Sequence, residues 1–559
     1  AGGCAKGTPA ATRPAGVPAD WDVGLHQQAA TAPHAMIASN SDLASEAGVE
    51  ILRKGGNAVD AAVATGFAMA VTYPQAGNIG GGGFMVIHMA DGRNAAMDYR
   101  EVAPLAATRN MYLDAHGKLT DKSRKGALAV GVPGAVAGMA AALKQYGTMS
   151  LHDVMQPAIR MAADGFTVDS ALARAIAAGR KLIGPYEGAS VFLPGGQPVA
   201  AGTVLKQPQL ARTLTAIADK GPDAFYKGWI ADSLVAEMHH DHGIITKADL
   251  AKYTPIWRDP IKGTYRGDTI YSMPPSSSGG ISEVEIHNIR ETFPPLPAFN
   301  STMYDHDVAE AFRRAFIDRN TELGDPAFVK NPVDRLTSKA YARTLRDSIL
   351  PDRASKTPTF AEVSHEGMNT THYSVVDSAG DAVSTTTTLN SLFGSGNYVG
   401  GAGFFLNNEM DDFSSDPGHH NQFGLVQGEA NAIAPGKRML SAMTPTIVVD
   451  STGKVLLVVG AAGGPTIITA TTQAILNVID HHMSLADAMS APRIHQQAWP
   501  DKLTYERGGL VQAVADSLTA MGYELSPVRH LANANAVMRV AGGWEGMVEP
   551  RSTGGARGY

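Results

Sequence analysis

Two adjacent threonines, Thr370 and Thr371, lie where a loop-like stretch gives way to a strand-like one in GMNTTHYSVVD, residues 367–377. A threonine hydroxyl is a weak nucleophile that attacks a carbonyl only when a base activates it. Threonine is also a good strand former, and a pair of threonines at the start of a strand is an ordinary structural pattern. The pair alone therefore indicates either a nucleophile or the start of a strand, and the surrounding residues have to decide.

Two other stretches raise the question of a bound ion. EMHHDHGI contains His239, His240, Asp241 and His242 at the end of a helical pattern, where the helix dipole favours cations, and no separate acidic cluster with ligand spacing accompanies them. The glycine run at residues 80–83 is followed by a strand-like segment and by no Gly-Lys-Ser/Thr, so a phosphate loop is not indicated. We expect close backbone packing at the glycines, and neither a metal nor a cofactor.

The composition is that of an ordinary soluble globular protein. The 559 residues are 44% hydrophobic and 18% charged, which is typical of a folded chain and not of a disordered one. The formal net charge of -7 comes without any block of lysines or arginines, so we expect no nucleic-acid partner. No uninterrupted apolar run reaches about 18 residues, and we expect no membrane-spanning segment.

The single cysteine, Cys4, excludes an internal disulfide and a thiolate metal site, which needs several ligands. It follows small residues in AGGCAKG, which resembles the lipid-attachment box of bacterial lipoproteins, although Ala1 stands where a larger aliphatic residue is usual. A trimmed signal segment fits this position. Two interpretations stay open: a lipid anchor with a periplasmic or other extracytoplasmic location, or an incidental cysteine in a flexible tail.

Hydrophobic spacing predicts the elements of the first part of the chain. Residues 1–33 are rich in Ala, Gly and Pro without apolar periodicity, which predicts a flexible tether. SDLASEAGVEILRKGGN predicts a helix capped by Ser41, and AVDAAVATGFAMAVTYP predicts a buried helix that ends before Pro74. GNIGGGGFMVIHMADGRNAAMDYREVAP predicts a hairpin with ADGR as its turn. The region from about 130 to 350 is mostly helical by pattern.

The part after about residue 351 is rich in strands. THYSVVDSAGDAVSTTTTLN alternates as a hairpin around residues 378–381, and GAGFFLNN, TPTIVVD and KVLLVVGAAGG predict further strands. PTIITATTQAILNVIDH and SLADAMSAP predict helices that cover such a sheet. The two parts together indicate one layered core of helices and sheets.

Motifs spread along the chain resemble those of one enzyme family. MNTTHYSVVD, TLN, NNEMDDF, KRMLSAMTPTIV and GAAGG resemble the small subunit of γ-glutamyltranspeptidases, which are N-terminal nucleophile hydrolases. GNIGGGGFM, DYREVAP and YSMPPSSSGG are similar to blocks of that family's large subunit. The blocks occur in the same order from about residue 34 to the C-terminus. The resemblance implies an α/β (α+β) fold, the four-layer αββα sandwich of that superfamily.

The resemblance also implies that the precursor cuts itself between Asn369 and Thr370. A large subunit, 34–369, and a small subunit, 370–559, would then share one core. An N-terminal threonine carries its own base, an α-amine with an unperturbed pKa of about 7.7–8.0. No such base exists before cleavage, so processing is expected to activate the enzyme. His372 is expected to be structural.

Further roles carry over from the family position by position. Thr388 matches the threonine whose hydroxyl hydrogen-bonds the nucleophile. Gly463 and Gly464 match the pair whose N–H groups face the developing oxyanion, where each donor can contribute about 3 kcal/mol of transition-state stabilisation. Arg551 matches a C-terminal arginine that is expected to support the site from behind.

A γ-glutamyl group carries an α-carboxylate and an α-ammonium, so its recognition needs opposite charges at two ends. Arg100 in DYRE matches the arginine whose planar guanidinium holds the carboxylate, together with Ser441. Asp412, with Glu409 and Asn390, matches the set that holds the ammonium. Without the resemblance, each charged member would be read as an ordinary surface charge.

Two positions depart from the family pattern. Ala442 stands where the family commonly has a second serine, and losing a hydrogen bond to a charged group costs roughly 1.5–3 kcal/mol. We therefore expect weaker γ-glutamyl binding or a shifted donor preference. Phe423, in PGHHNQFGLVQGEAN, stands where some members have a tyrosine that hydrogen-bonds across the mouth of the site. Its missing hydroxyl predicts a looser cover and better access for water, which added glycylglycine would test.

The sequence predicts an autoprocessing γ-glutamyltranspeptidase that passes the γ-glutamyl group of glutathione or a related donor from Thr370 to water or to an amino acid or dipeptide amine. Two alternatives stay open. A glutaryl (cephalosporin) acylase of the same superfamily would have little use for Asp412 and Glu409, because glutaryl lacks the α-ammonium. A non-catalytic γ-glutamyl-binding lipoprotein would keep similar residues but stay in one piece.

Overall fold

The computed structural model describes residues 14–24, 27–293, 296–357, 369–414 and 428–559. Cys4 and Phe423 lie outside these ranges, so the predictions made for them stay predictions.

The helices of the described residues are α1 (Asp42–Arg53), α2 (Ala58–Thr72), α3 (Ala135–Tyr146), α4 (Leu151–Asp164), α5 (Ser170–Ile183), α6 (Ala189–Phe192), α7 (Pro208–Lys220), α8 (Asp223–Lys227), α9 (Trp229–His240), α10 (Lys247–Lys252), α11 (Gly279–Glu291), α12 (Thr302–Glu322), α13 (Val333–Leu336), α14 (Lys339–Asp347), α15 (Thr466–Ile479), α16 (Leu485–Ser490) and α17 (Gln512–Ala520). The strands are β1 (Ala30–Ala32), β2 (Met36–Ser39), β3 (Gly82–His88), β4 (Asn94–Asp98), β5 (Phe166–Thr167), β6 (Val204–Leu205), β7 (Ile256–Arg258), β8 (Ile261–Tyr265), β9 (Asp268–Ser272), β10 (Thr370–Val376), β11 (Ala382–Thr388), β12 (Tyr398–Val399), β13 (Phe404–Phe405), β14 (Thr446–Val449), β15 (Val455–Ala462), β16 (Ile494–His495), β17 (Leu503–Glu506), β18 (Leu525–Val528), β19 (Asn533–Val540), β20 (Gly543–Met547) and β21 (Gly555–Gly558).

Two seven-stranded sheets form the centre of the molecule. The first has the strand order β1-β20-β19-β15-β14-β9-β8, and the second has the order β21-β2-β10-β11-β3-β4-β7. Strand pairs in both sheets are antiparallel. β10 and β11 of the second sheet contact β15 of the first, and every residue of β10 and β11 is buried. The two sheets therefore make the inner layers of the fold.

Helices cover the outer face of each sheet. α1 and α2 contact strands of the second sheet, among them β2, β10 and β11. α11 and α15 contact strands of the first sheet, among them β8, β9 and β15. This is the predicted four-layer αββα sandwich, which the structure confirms.

Local signals at the helix starts confirm the two predicted N-terminal helices. Ser41 accepts a hydrogen bond from the N–H of Ala44 at the start of α1, as a capping residue does. Asn57 and Asp60 form a capping box at the start of α2. Every residue of α2 is buried, as its apolar character on all faces predicts.

The β10–β11 hairpin carries the threonine pair. The carboxylate of Asp377 accepts hydrogen bonds from successive N–H groups of the turn, including those of Gly380 and Asp381. Gly380 has φ +93°, a conformation that favours glycine. The resulting register pairs Thr370 with Thr388 at the open end of the hairpin. The predicted hairpin is confirmed.

The middle of the chain contains strands that the sequence analysis missed. β8 and β9 form one edge of the first sheet, although this region was predicted to be mostly helical. β8 alternates buried and exposed residues from Ile261 to Tyr265. The period-2 signal is therefore present in the sequence, but five residues are too few to stand out between helical patterns.

Part of the predicted tether packs into the fold. Residues Ala30–Ala32 form β1 and pair with β20. Upstream, Trp21 is buried, and its indole N–H donates to the carbonyl oxygen of Ser490 at 2.8 Å. The folded part therefore extends upstream of the predicted boundary at residue 33.

The structure also bears on two questions raised by composition. In the described ranges, no helix combines the length and apolar character needed to cross a bilayer. His239 and His240 end α9, as the helical pattern predicts. Across the same ranges, His, Cys, Asp and Glu side chains form no group of three or more that could hold a metal ion.

Candidate active site

The two hydroxyls of Thr370 and Thr388 meet at the open end of the hairpin. Their Oγ1 atoms are 3.4 Å apart and both residues are buried. The main-chain N–H of Asn390 donates to Thr388 Oγ1 at 2.7 Å. Because this bond occupies an acceptor lone pair of Thr388, its hydroxyl proton is free to point at Thr370. The arrangement orients the Thr370 hydroxyl within the hairpin.

His372 follows Thr370 on the same strand but is bonded elsewhere. Its ring nitrogens lie 2.9 Å from Thr386 Oγ1 and 2.9 Å from Ser374 Oγ. Burial lowers the pKa of His372 to about 3, so the ring is neutral at ordinary pH. A neutral imidazole held by two other hydroxyls is not a base for Thr370, which agrees with the structural role expected for His372.

A pocket opens beside the two threonines. It is lined by Arg100, Arg319, Thr370, Thr388, Asn390, Glu409, Asp412, Leu440, Ser441, Ala442, Met443, Gly464 and Ile467. The structure thus brings together most of the residues that the sequence analysis assigned to the site, whereas Asn369, Gly463 and Arg551 are not among the lining residues. The charged members come from both halves of the chain, since Arg100 follows β4 and Glu409 follows β13.

Arg100 is the centre of the charged part of the pocket. Its guanidinium is fully buried and donates to the carboxylates of Glu409 and Asp412, while Glu101 lies 3.7 Å away. Its Nε also donates to the carbonyl oxygen of Met439 at 3.2 Å. Burial alone would lower the pKa of Arg100, but the three carboxylates outweigh burial and raise it. The arginine is therefore permanently cationic.

The carboxylates of the pocket share one guanidinium. Burial raises the pKa of Glu409 and of Asp412, and Arg100 opposes this in both cases. Glu409 Oε2 has no hydrogen-bond partner among the described residues. The acidic side of the pocket therefore has capacity to accept further donors.

The segment that holds Ser441 is tied to the start of α11. The main-chain N–H and the hydroxyl of Ser278 both donate to the carbonyl oxygen of Ser441, at 2.8 and 2.6 Å. The Ser441 hydroxyl accepts from the N–H of Met443 at 3.1 Å. Ala442 follows with its methyl group at the pocket wall.

Two glycines, Gly463 and Gly464, follow the end of β15 before α15, and Gly464 lines the pocket. Gly463 has φ +139° and Gly464 has φ +58°, backbone conformations that residues other than glycine rarely adopt. Their main-chain N–H groups make no hydrogen bond to any residue in the described part of the chain. Free N–H groups beside a nucleophile are suited to stabilise a developing negative charge.

A protein-family comparison identifies the chain. The family described as Gamma-glutamyltranspeptidase matches residues 44–559. The chain belongs to the γ-glutamyltranspeptidase family. Among members of this family, it is 49% identical over 484 residues to the glutathione hydrolase proenzyme of Escherichia coli (strain K12), an alignment that covers 85% of this chain and 83% of that protein.

Solved structures support the same placement. The cephalosporin acylase from Bacillus halodurans superposes with a TM-score of 0.85 at 28% identity, covering 96% of this chain and 97% of that chain. The γ-glutamyltranspeptidase of Helicobacter pylori superposes with a TM-score of 0.55 at 46% identity, covering 56% of this chain and 91% of that one. The fold is thus common to acylases and transpeptidases, while the sequence is more similar to the transpeptidase.

The structure places Arg551 outside the pocket of this γ-glutamyltranspeptidase-family chain. Arg551 is buried against Glu506 and Glu549, and none of these three residues is among those that line the pocket. Glu549 connects this cluster to β10, because its N–H donates to Asn535 Oδ1 at 3.1 Å and Asn535 Nδ2 donates to the carbonyl oxygen of His372 at 2.7 Å. A route for support from behind therefore exists, and the role itself stays a prediction.

One charged pocket residue was missed by the sequence analysis. Arg319 lies in α12 and is buried in the pocket wall. Its side chain is anchored by Ser278, at the start of α11, and by its neighbour Asn320. Nothing in the helical pattern around Arg319 distinguishes it from a surface arginine, so a sequence signal was not available.

Proposed function

We propose that this chain is an autoprocessing γ-glutamyltranspeptidase and glutathione hydrolase with Thr370 as its nucleophile. One observation carries the proposal: the oriented hydroxyl of Thr370 shares a pocket with a buried arginine and with the carboxylates of Glu409 and Asp412, and Glu409 Oε2 has no hydrogen-bond partner among the described residues. In a γ-glutamyl group, the reactive carbonyl suits the Thr370 hydroxyl, the α-carboxylate suits the arginine, and the α-ammonium suits the carboxylates. Substrates of this kind, and two subunits cut from one precursor, are what family membership implies.

Cleavage after Asn369 supplies the base for this chemistry. The new α-amine of Thr370 takes the hydroxyl proton, and Oγ1 attacks the γ-carbonyl of the donor. The N–H groups of Gly463 and Gly464 face the oxyanion, and the amine returns the proton to the leaving nitrogen. Water or an amino acid or dipeptide amine then attacks the ester and releases Thr370.

Charge pairing explains recognition of the donor. The α-ammonium joins Glu409 and Asp412, with Asn390 at the same end, and the α-carboxylate meets Arg100. Each substrate charge finds an opposite one among buried residues, where charge pairing is strong and an unpaired charge is costly. Binding therefore requires a donor that carries both charges.

A cephalosporin acylase is the main competing function, because the acylase of Bacillus halodurans shares the fold. Glu409 and Asp412 share the single guanidinium of Arg100. A glutaryl group has no ammonium, so it would bring no second cation to these two carboxylates. The presence of both carboxylates therefore favours a substrate with an ammonium group. The rate of a γ-glutamyl anilide relative to a glutaryl anilide distinguishes the two.

The first experiment is a denaturing intact-mass measurement of the purified chain after overnight incubation. Two fragments that divide between Asn369 and Thr370, followed by release of p-nitroaniline from a γ-glutamyl anilide, support the proposal. A single uncut mass without activity overturns it in favour of a non-catalytic binding protein.

The lipid anchor at Cys4 and an extracytoplasmic location stay separate proposals, tested by the membrane association of a Cys4→Ser variant.

A further inference from the structure

Arg319 is an arginine with an unused donor at the active-site pocket. Its side chain is 1% exposed and belongs to the pocket wall. Nε donates to Ser278 Oγ at 2.8 Å and Nη1 donates to Asn320 Oδ1 at 2.7 Å. Nη2 has no hydrogen-bond partner in the described part of the chain.

Arg319 differs from Arg100 in its charge environment. Within the described ranges, no carboxylate lies within ion-pair distance of Arg319, whereas Arg100 contacts several. Burial lowers the pKa of Arg319 to about 10, with Asp412 opposing this from a distance, so the side chain is still cationic at neutral pH. A buried cation without a partner is costly, and an incoming anion removes that cost.

The anchoring of Arg319 places it at the carboxylate end of the pocket. The hydroxyl of Ser278 that accepts from Arg319 also donates to the carbonyl oxygen of Ser441. Ser441 is the residue expected to contact the donor carboxylate, and Ala442, which lacks the hydroxyl, comes directly after it. Arg319 is therefore joined through one side chain to the segment where a donor is missing.

We propose that Arg319 is a specificity-determining residue whose Nη2 donates a hydrogen bond to the α-carboxylate of the substrate. It would act together with Arg100 and Ser441 and replace the hydroxyl that is absent at Ala442. The inference rests on the proposed function and adds a residue to its substrate-binding site. Two arginines in one pocket also explain why Arg100 can remain in contact with Glu409 and Asp412 while the substrate binds. The carboxylate then has a cation that no protein anion already occupies.

The test compares two anilides that differ only in the carboxylate. γ-Glutamyl-p-nitroanilide carries both charges, and 4-aminobutanoyl-p-nitroanilide keeps the ammonium but lacks the carboxylate. We expect Arg319→Gln to lower kcat/KM for the γ-glutamyl anilide about 10- to 100-fold, mainly through KM, because a hydrogen bond to a charged group is lost. The kcat/KM for the 4-aminobutanoyl anilide should not change.

Controls separate binding from folding. Arg314→Lys alters a buried arginine of the same helix that pairs with Glu310 outside the pocket, and it should leave both rates unchanged. If Arg319→Gln remains uncut, Arg319→Lys takes its place, since it keeps the charge and is expected to lose activity on the γ-glutamyl anilide only. Equal losses on both anilides, or no loss on either, overturn the assignment.

A second arm uses the position next to Ser441. If Arg319 and a hydroxyl at position 442 serve the same carboxylate, Ala442→Ser should raise the γ-glutamyl kcat/KM more in the Arg319→Gln background than in the wild type. Equal effects in both backgrounds contradict a shared ligand. An uncut and inactive wild type overturns the proposed function itself, whereas an active wild type with equal losses overturns only the role of Arg319.

Discussion

Two buried clusters of arginines and carboxylates, the rear cluster around Arg551 and the pocket cluster around Arg100, have similar residue types but a different balance of charge. In the rear cluster, Arg551 donates to Glu506 and Glu549, and also to main-chain carbonyl oxygens of residues 489–491. Arg493 donates to Glu549 as well. The two arginines outweigh burial and lower the pKa of Glu549. Cations and anions are matched, and the cluster is complete without a ligand.

The pocket cluster is not balanced in this way. Arg100 faces the three carboxylates of Glu101, Glu409 and Asp412. Burial raises the pKa of all three, and among the described residues both carboxylate oxygens of Glu101 lack a hydrogen-bond partner. The comparison shows that a saturated buried network serves stability, whereas an unsaturated one in a pocket retains capacity for a ligand.

Removing the nucleophile should abolish function while both clusters remain. We expect Thr370→Ala to stay uncut and to lose more than about a thousandfold in activity, because nucleophile and base belong to the same residue. Intact mass and anilide turnover measure this. Thr371→Ala is the control, since its hydroxyl donates to Asn40 and not to Thr388. A cut or active Thr370→Ala variant would rule out this nucleophile.

Breaking the rear cluster should cost stability. Arg551→Ala leaves Glu506 without its ion-pair partner and Glu549 with Arg493 alone, and removing one partner of a buried ion pair costs about 3–5 kcal/mol in the free energy of unfolding. Urea denaturation measures the loss. The KM of the folded variant for a γ-glutamyl anilide should be unchanged, and a raised KM at wild-type stability would contradict the division of roles.

The matching change in the pocket should cost binding instead. Asp412→Asn removes a charged acceptor for the α-ammonium, so kcat/KM for a γ-glutamyl anilide should fall about 10- to 100-fold. Stability should not fall, because one of three crowded carboxylates is neutralised. Denaturation and kinetics on the same preparation provide the measurement, and a destabilised variant with normal kinetics would reverse the comparison.

The surplus carboxylates should make stability depend on pH. Burial raises the pKa of Glu101 from 4.5 to about 7. A group that binds its proton more tightly in the folded state reduces the free energy of unfolding as pH rises from about 4.5 to about 7. Glu101→Gln should therefore raise Tm at pH 8 and leave it unchanged at pH 4. A variant with the same Tm difference at both pH values would exclude this titration.

The smallest expected effect is at the missing hydroxyl. Ala442→Ser restores a donor beside Ser441, and kcat/KM for a γ-glutamyl anilide should rise by up to about tenfold, since Arg319 already serves the carboxylate. Steady-state kinetics on the processed enzyme measure the change. Ser441→Ala, which removes the remaining hydroxyl, should act in the opposite direction. An unchanged or lower value for Ala442→Ser would count against the expected donor deficit.

Features of the fold that depend on neighbours in sequence were predictable. The cap at Ser41 and the hairpin turn at Asp377 and Gly380 are local, and the sequence shows them directly. The pairing of β9 with β14 joins Ser272 to Thr446, and no local pattern encodes so distant a partner. Short strands such as β8 were not predicted for a related reason, because neighbouring strands of the sheet stabilise them more than their own sequence does.

The site shows the same limit. The resemblance supplied its members, and the structure groups them, but the bonds from Arg100 to Glu409 and Asp412 join residues more than 300 positions apart. Arg319 was missed because its anchor, Ser278, lies 41 positions away, directly before the start of α11. Motifs thus identify the residues of the site. Only the packed structure shows which of their charges are already paired with each other.

The strand order of the sheets has a consequence for how the two subunits come into being. In the second sheet, β2 lies between β21 and β10, and in the first sheet β1 borders β20, so the proposed cut between Asn369 and Thr370 would leave strands of both subunits interleaved. Pulling the halves apart would expose unpaired edges in both sheets. Subunits made by the proposed cut would therefore not need to find each other by diffusion. Their one-to-one ratio would be set during translation, because both come from one polypeptide.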